Sequence, residues 1–344
     1  MIWNAWVLGL IVGQMATVAI SAIAFANALR IVRKWDTSSM SPMQLDLEHR
    51  SELVATIVSC SLLFQAFSLM VFEITARSLA PFVPGAMCTV GILQAQPLGW
   101  PVLFLKMAAL FLYGWWIVLN HLDNQVEGFP LTIFKSWYLI GLFPLILTDL
   151  ILQIAFFTHL DPAVITSCCG VVFEVEGEGF GSSVASLPPK LTMGGLVGLV
   201  TALVVFSVIL RRRNSQGGCI AYALGSGAGL VLGIAGVISF VAPYVYMMPA
   251  LHCPFIFLDE EHLNYGYLVY LPLFAASFLG MSTGVLVAVG RQFPVLVTVS
   301  HNIKMQYVQW SGWLWLVFLA AAYGPVIKFW IATGGTADLF QVGY

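Results

Sequence analysis

The stretch from Thr192 to Arg213 reads TMGGLVGLVTALVVFSVILRRR: nineteen residues without a formal charge, then three arginines in a row. A helix needs about 20 apolar residues to cross the hydrocarbon core of a bilayer, and basic residues directly after a span mark its cytoplasmic end. Working outward, seven more stretches have the same character, near residues 5–30, 52–76, 101–120, 137–158, 219–241, 267–290 and 308–331. Of the 14 Lys and Arg residues, ten lie at or in the odd-numbered connections: Arg30, Arg33, Lys34, Arg50, Lys135, Arg211, Arg212, Arg213, Arg291 and Lys304. Those connections are expected in the cytoplasm, so both termini and the loops 77–100, 159–191 and 242–266 are expected outside. The fold class is all-α integral membrane, with about eight transmembrane helices in a single polytopic domain, 1–344.

Composition agrees. Hydrophobic residues make up 60% of the chain and charged residues 9%, and mean hydropathy is +0.91. A soluble fold is excluded, because most helices are apolar nearly all round and their backbone groups must be satisfied within each helix, in lipid. The lipid bilayer is the first partner; other membrane or periplasmic subunits are candidates, and nucleic acid is not expected. The first basic residue, Arg30, follows the first apolar stretch, so 5–30 reads as a permanent helix and not a cleaved signal. A multi-pass protein of a bacterial inner membrane is the expected setting.

Two outer loops carry the same words in the same order. The first reads Ala80-Pro81-Phe82-Val83, then Pro84, Ala86 and Cys88, then Gly99-Trp100; the second reads Ala242-Pro243-Tyr244-Val245, then Pro249, Ala250 and Cys253, then Gly266-Tyr267. A tandem duplication of a four-helix unit accounts for this, with repeat 1 at about 1–160, repeat 2 at about 190–344, and an acidic outer loop 159–191 between them. An even number of spans per unit makes the repeat parallel. Chance likeness between Pro- and Gly-rich membrane turns is the competing account. Gly225, Gly229 and Gly233, Gly194 and Gly198, and Gly280 and Gly284 recur at four-residue spacing, which suits close helix packing.

Four of six cysteines fall in the outer loops: Cys88, the adjacent Cys168 and Cys169, and Cys253. Outside an inner membrane such thiols form disulfides, bind metal or do redox work. Two bridges stapling the loops are one reading. Exchange at a strained or exposed disulfide is the other, although the CxxC spacing of membrane thiol oxidoreductases is missing. His252 beside Cys253, with His262 nearby, suggests a zinc or copper site, against a merely solvated acidic rim. Phe173 to Glu178 alternates strictly and reads as a short hairpin or lid.

Charges inside the bilayer are costly and therefore suspect as functional. Lys106, Asp149 and Glu73 are such charges, and a Lys106–Asp149 or Lys106–Glu73 pair is expected within the first bundle. It serves either as a static ion pair or as a proton or ion relay or quinone contact. His49 and His121 at inner helix ends leave a weak case for haem b. No c-type haem attachment motif and no ATP-binding loop occurs. The segments 33–52 and 292–303 are expected as inner-surface connections open to partners. Three functions stay open: thiol redox, electron transfer or metal handling at the periplasmic-face cysteines; a non-catalytic membrane subunit of a larger electron-transfer or transport complex; a small-solute or ion transporter. Whether the chain is an enzyme is left undecided by these residues.

Overall fold

The computed structural model describes residues 3–35, 42–126, 128–166, 180–213, 215–335 and 339–340. All regular structure among them is helical, and eight helices are long and apolar enough to span a membrane. We label them α1 (Ala5–Lys34), α2 (Pro42–Leu79), α3 (Gly99–Asp123), α4 (Thr132–Thr158), α5 (Pro189–Arg213), α6 (Gln216–Gly236), α7 (Tyr265–Gln292) and α8 (Val297–Ala332). The protein is therefore multi-pass. The 30 residues of α1 extend about 45 Å, so its last turn, with Arg33 and Lys34, reaches past a hydrocarbon core about 30 Å thick.

Two expected connections turn out to be helix. Residues 42–52 form the first turns of α2, and 297–303 open α8 behind a 3-10 turn at Pro294–Leu296. Pro42 and Pro294 explain both. A proline at a helix start lacks only an N–H that would have no partner there, so Pro42 can open α2 and Pro294 the 3-10 turn that leads into α8.

The chain divides into two compact units: Met1–Pro84, Ile92–Thr166 and Gly290–Ser300; and Gly85–Gly91, Ser167–Val289 and His301–Tyr344. In the first, α1 packs on α2 and α4, and α3 packs on the same two helices. Its core joins small residues of α1 and α2 (Ala24, Ala28, Ala55) to Tyr113, Trp116, Leu139 and Ile146.

In the second unit α5 packs on α6, and the core is built around Trp315, Tyr222, Phe240 and Phe318. The glycine spacing is explained here by contact. A Cβ on Gly229 would lie 2.6 Å from the Trp315 ring, and one on Gly280 would lie 2.1 Å from Ser226 Oγ. Gly194 and Gly198 have nothing within 4 Å, so the packing role read for them from spacing does not hold.

The repeated motifs close their helices alike. Pro81 stands at the start of a 3-10 turn, Ala80–Phe82, after α2; Pro243 stands at the start of a helical turn, Ala242–Tyr246, after α6 and a π-helical turn at Val237–Val241. Both motif glycines sit under close neighbours. A Cβ on Gly99 would meet Leu93 O at 2.2 Å, and one on Gly266 would meet Leu258 Cδ2 at 2.6 Å.

Candidate functional site

Each unit has its own cluster of reactive or charged side chains. In the first unit the pairing is Lys106 with Asp149: Nζ lies 3.0 Å from Oδ2, and neither side chain is more than 1% exposed. Lys106 enters seven residues into α3, about 10 Å from its first residue, and Asp149 comes one turn after Pro144 of α4. Every helix of the unit contributes. Gln14 of α1 and Gln65 of α2 donate their amides to the same Asp149 Oδ2, at 2.9 and 2.8 Å, and Gln65 Nε2 also reaches Gln14 Oε1 at 2.6 Å. The ammonium has Ser68 Oγ at 3.3 Å and the Phe72 ring centroid at 5.8 Å. Glu73, the alternative partner for Lys106, is buried in α2 but is not the residue that Lys106 meets.

Around this node lie polar atoms that find no hydrogen-bond partner among the described residues. They include Asp149 Oδ1, both amide atoms of Gln153 and Ser21 Oγ, and also Gln65 Oε1 and Tyr113 OH, which face each other without closing a well-formed bond. All five residues are 3% exposed or less. A buried polar group left without a partner costs about 1–3 kcal/mol, so such a concentration within one bundle is where bound water belongs.

A second ion pair closes the far end of the bundle. Lys135 Nζ lies 2.6 Å from Asp123 Oδ2 and 3.1 Å from Asn120 Oδ1, and Asp123 Oδ1 accepts the backbone N–H of Leu131 at 2.7 Å. Lys135, counted above among the connecting-loop cations, is thus a buried residue that ties the α3–α4 turn together.

In the second unit Cys88 and Cys253 come together. Cys88 is in a disulfide, and Cys253, fully buried, has its Sγ 3.7 Å from Cys88 Sγ. A bonded sulfur carries no proton, so any S–H···S contact runs from Cys253 to Cys88. Cys168 and Cys169 lie outside the described residues, as does the alternating stretch 173–178. Tyr246 clamps the loop: its hydroxyl donates to Cys253 O at 2.7 Å and accepts from Phe257 N at 3.0 Å.

His252 is buried beside Cys253, and its Nδ1–H donates to Ile238 O at 3.0 Å. Burial pushes its imidazole below the ordinary histidine value, so it is neutral at pH 7. His262 rests on the Tyr246 ring, with centroids 5.0 Å apart. Among the described residues no three of His, Cys, Asp and Glu gather as a metal site would require. His49 and His121, the pair considered for haem, both have exposed side chains.

No protein-family model matches the chain, and comparison with curated proteins and with solved structures finds no match either.

Sequence reading alone singled out Lys106, Asp149, Cys88 and Cys253 but missed what surrounds them. Gln14, Gln65 and Gln153 are amides inside long apolar runs, and that isolation was the available signal. An amide in lipid needs a partner just as a charge does.

Proposed function

We propose that this multi-pass membrane protein carries out thiol–disulfide exchange at the outer face of a bacterial inner membrane, as a step of electron transfer between external thiols and an acceptor in or beside the membrane. The observation that carries the proposal is the 3.7 Å separation of Cys253 Sγ from Cys88 Sγ while Cys88 is already disulfide-bonded. That is the arrangement from which exchange starts: a thiolate attacks one sulfur of an existing disulfide. Cys253 loses its proton and its sulfur bonds to Cys88; the bond from Cys88 to its present partner breaks, and that partner leaves as a thiolate. No electrons are gained or lost in this step. Net oxidation of an external dithiol then delivers two electrons and two protons, which a lipid-soluble quinone accepts as a class.

Burial sets the chemistry's limits. Cys253 is inaccessible, and its neighbour His252 is neutral, so neither supplies the positive charge that acidifies reactive thiols. Exchange is therefore slow until the loop opens or a base arrives with the substrate. A parallel duplication, read from the repeated loop words, would put Cys88 and Cys253 at equivalent positions and would fit one site assembled from both copies of the motif.

The test is a disulfide map across a glutathione redox series, read by mass spectrometry after differential alkylation. The reading expects a Cys88–Cys253 bond to appear as a second isomer and to vanish in Cys253→Ser. A single, unmoving Cys88 linkage across the series would reduce the cluster to a structural staple.

A small-ion transporter is the second reading, favoured by a different observation: the buried charges and unpartnered amides of the first unit.

A further inference from the structure

The first unit contains an interrupted polar line along its axis. Gln153 is one turn past Asp149 on α4; Asp149 Oδ1 and Gln65 Oε1 belong to groups already fixed at the ion pair; Tyr113 is two turns past Lys106 on α3; Ser21 is two turns past Gln14 on α1. At 1.5 Å per residue, four residues on α4 and seven on α1 extend this line over about 16 Å, more than half of a 30 Å hydrocarbon core. At one end it is shut by Phe72, Phe156 and Phe157, whose ring centroids lie 5.0–6.0 Å apart. At the other lies a cavity of about 20 Å³ lined by Ala24, Ala28, Trp116, Lys135 and Ser136. That volume holds one water.

We propose that the first four-helix unit is a proton relay, with Lys106 and Asp149 as its protonation site and water held by the unpartnered atoms of Asp149 and Gln153 and beside the Gln65 amide and the Tyr113 hydroxyl. The occupant is a proton and not a metal cation, because Lys106 already takes up the Asp149 charge and an added cation would stand beside the ammonium. The pair itself carries no net charge into the bilayer, either as ammonium and carboxylate or as amine and acid. Across the 3.0 Å bond an ammonium proton moves to Asp149, leaving a neutral amine and a neutral acid. The acid then releases its proton into water on the Gln153 side, a proton from the Tyr113 side lands on the amine, and the starting ion pair is restored. One proton has crossed. Phe72 and its neighbours close one end, so the structure is an occluded state. This inference is independent of the thiol chemistry of the second unit.

The experiment is reconstitution of the full chain into liposomes holding a trapped pH-sensitive dye, with a potassium diffusion potential set by valinomycin. Wild type is expected to carry protons faster than protein-free vesicles. Asp149→Asn and Lys106→Met are expected to lose that flux, and Phe72→Ala to raise it. Tyr113→Phe and Gln153→Leu leave the ion pair intact and therefore test the water-holding atoms without threatening the fold; both are expected to reduce flux. Wild-type flux equal to that of empty vesicles overturns the proposal, and so does Asp149→Asn flux equal to wild type. Wild-type flux in both Tyr113→Phe and Gln153→Leu overturns the assigned path.

Discussion

Replacing Asp149 by Asn keeps the shape of the side chain and an oxygen for the amides of Gln14 and Gln65, which donate at 2.9 and 2.8 Å. What disappears is the charge that balances Lys106, a residue 3% exposed. Removing one member of a buried pair costs about 3–5 kcal/mol. At about 1.4 kcal/mol per tenfold, that shifts the unfolding equilibrium by about two to four powers of ten. Lys106 can shed its proton to escape the penalty, which places the expected value toward 3 kcal/mol. Lys106→Met alone is also costly, since it strands the carboxylate. The double variant Lys106→Met/Asp149→Asn restores neutrality while sparing both glutamine bonds, so it should lie within about 1 kcal/mol of wild type. The assay is reversible unfolding in mixed micelles followed by tryptophan fluorescence, run as a double-mutant cycle. Additive losses in the double variant would refute the argument. So would a cost below about 1 kcal/mol for Asp149→Asn, because the pair would then be solvated.

Other positions give sharper contrasts than magnitudes. Gly229→Ala should destabilise by about 1–3 kcal/mol, as its Cβ would sit 2.6 Å from the Trp315 ring, whereas Gly198→Ala should be neutral or stabilising; melting of the two purified variants compares them. Asp123→Ala strands the Lys135 charge and the Leu131 N–H together and should cost about 3–5 kcal/mol in the same micelle assay; a cost under about 1 kcal/mol would mean the turn is held otherwise. For His252 the folded value lies below the unfolded one, near 6.5, so the unfolded chain binds more protons in acid. Stability should be full above about pH 6.5 and fall below it, and His252→Asn should flatten that fall in a melting-versus-pH series. Cys60 is an exposed thiol in the middle of α2, whereas Cys219 is buried at the start of α6; a membrane-permeant maleimide should label Cys60 first, and equal labelling rates would contradict the packing.

Legibility in the sequence followed the length scale of the physics. Spans were readable because lipid demands about 20 apolar residues in a row, a constraint that no tertiary contact overrides. The connection read at 33–52 was legible only in part: Asp46, Glu48, His49 and Arg50 are polar, yet they continue α2, because charge decides where a helix leaves lipid and not where it ends. Lys106 and Asp149 stood out because a charge in lipid is conspicuous by itself. Their amide partners did not, because which faces of four helices turn together depends on packing. Lys135 shows the limit of counting charges by side: it was legible as a cation in a connection and invisible as the buried partner of Asp123, twelve residues back across a turn.

The proposed duplication can be carried one step further by counting from its own landmarks. From Gly99, Lys106 is seven residues on and Tyr113 fourteen; from Gly266 the same steps reach Leu273 and Gly280. Gln65 is sixteen residues before Pro81, and Ser226 is seventeen before Pro243. The extra residue matches the π-helical turn at Val237–Val241, which is how a single-residue insertion is absorbed in a helix. On this alignment the second unit has a leucine for the ammonium, a serine for the amide and a glycine for the phenol, and its polar contacts are hydroxyl bonds such as Tyr222 to Ser311 at 3.0 Å. Neutral hydroxyls satisfied by neighbours and by backbone carbonyls hold helices together without taking part in proton chemistry. On this alignment the first unit holds the buried charge and the second is packing around the thiols. Placing a lysine at Leu273 would then strand a charge in the second unit, at about 3–5 kcal/mol in the micelle assay; a variant that folds with wild-type stability would show that the second unit still has a partner for it, and the alignment would fail.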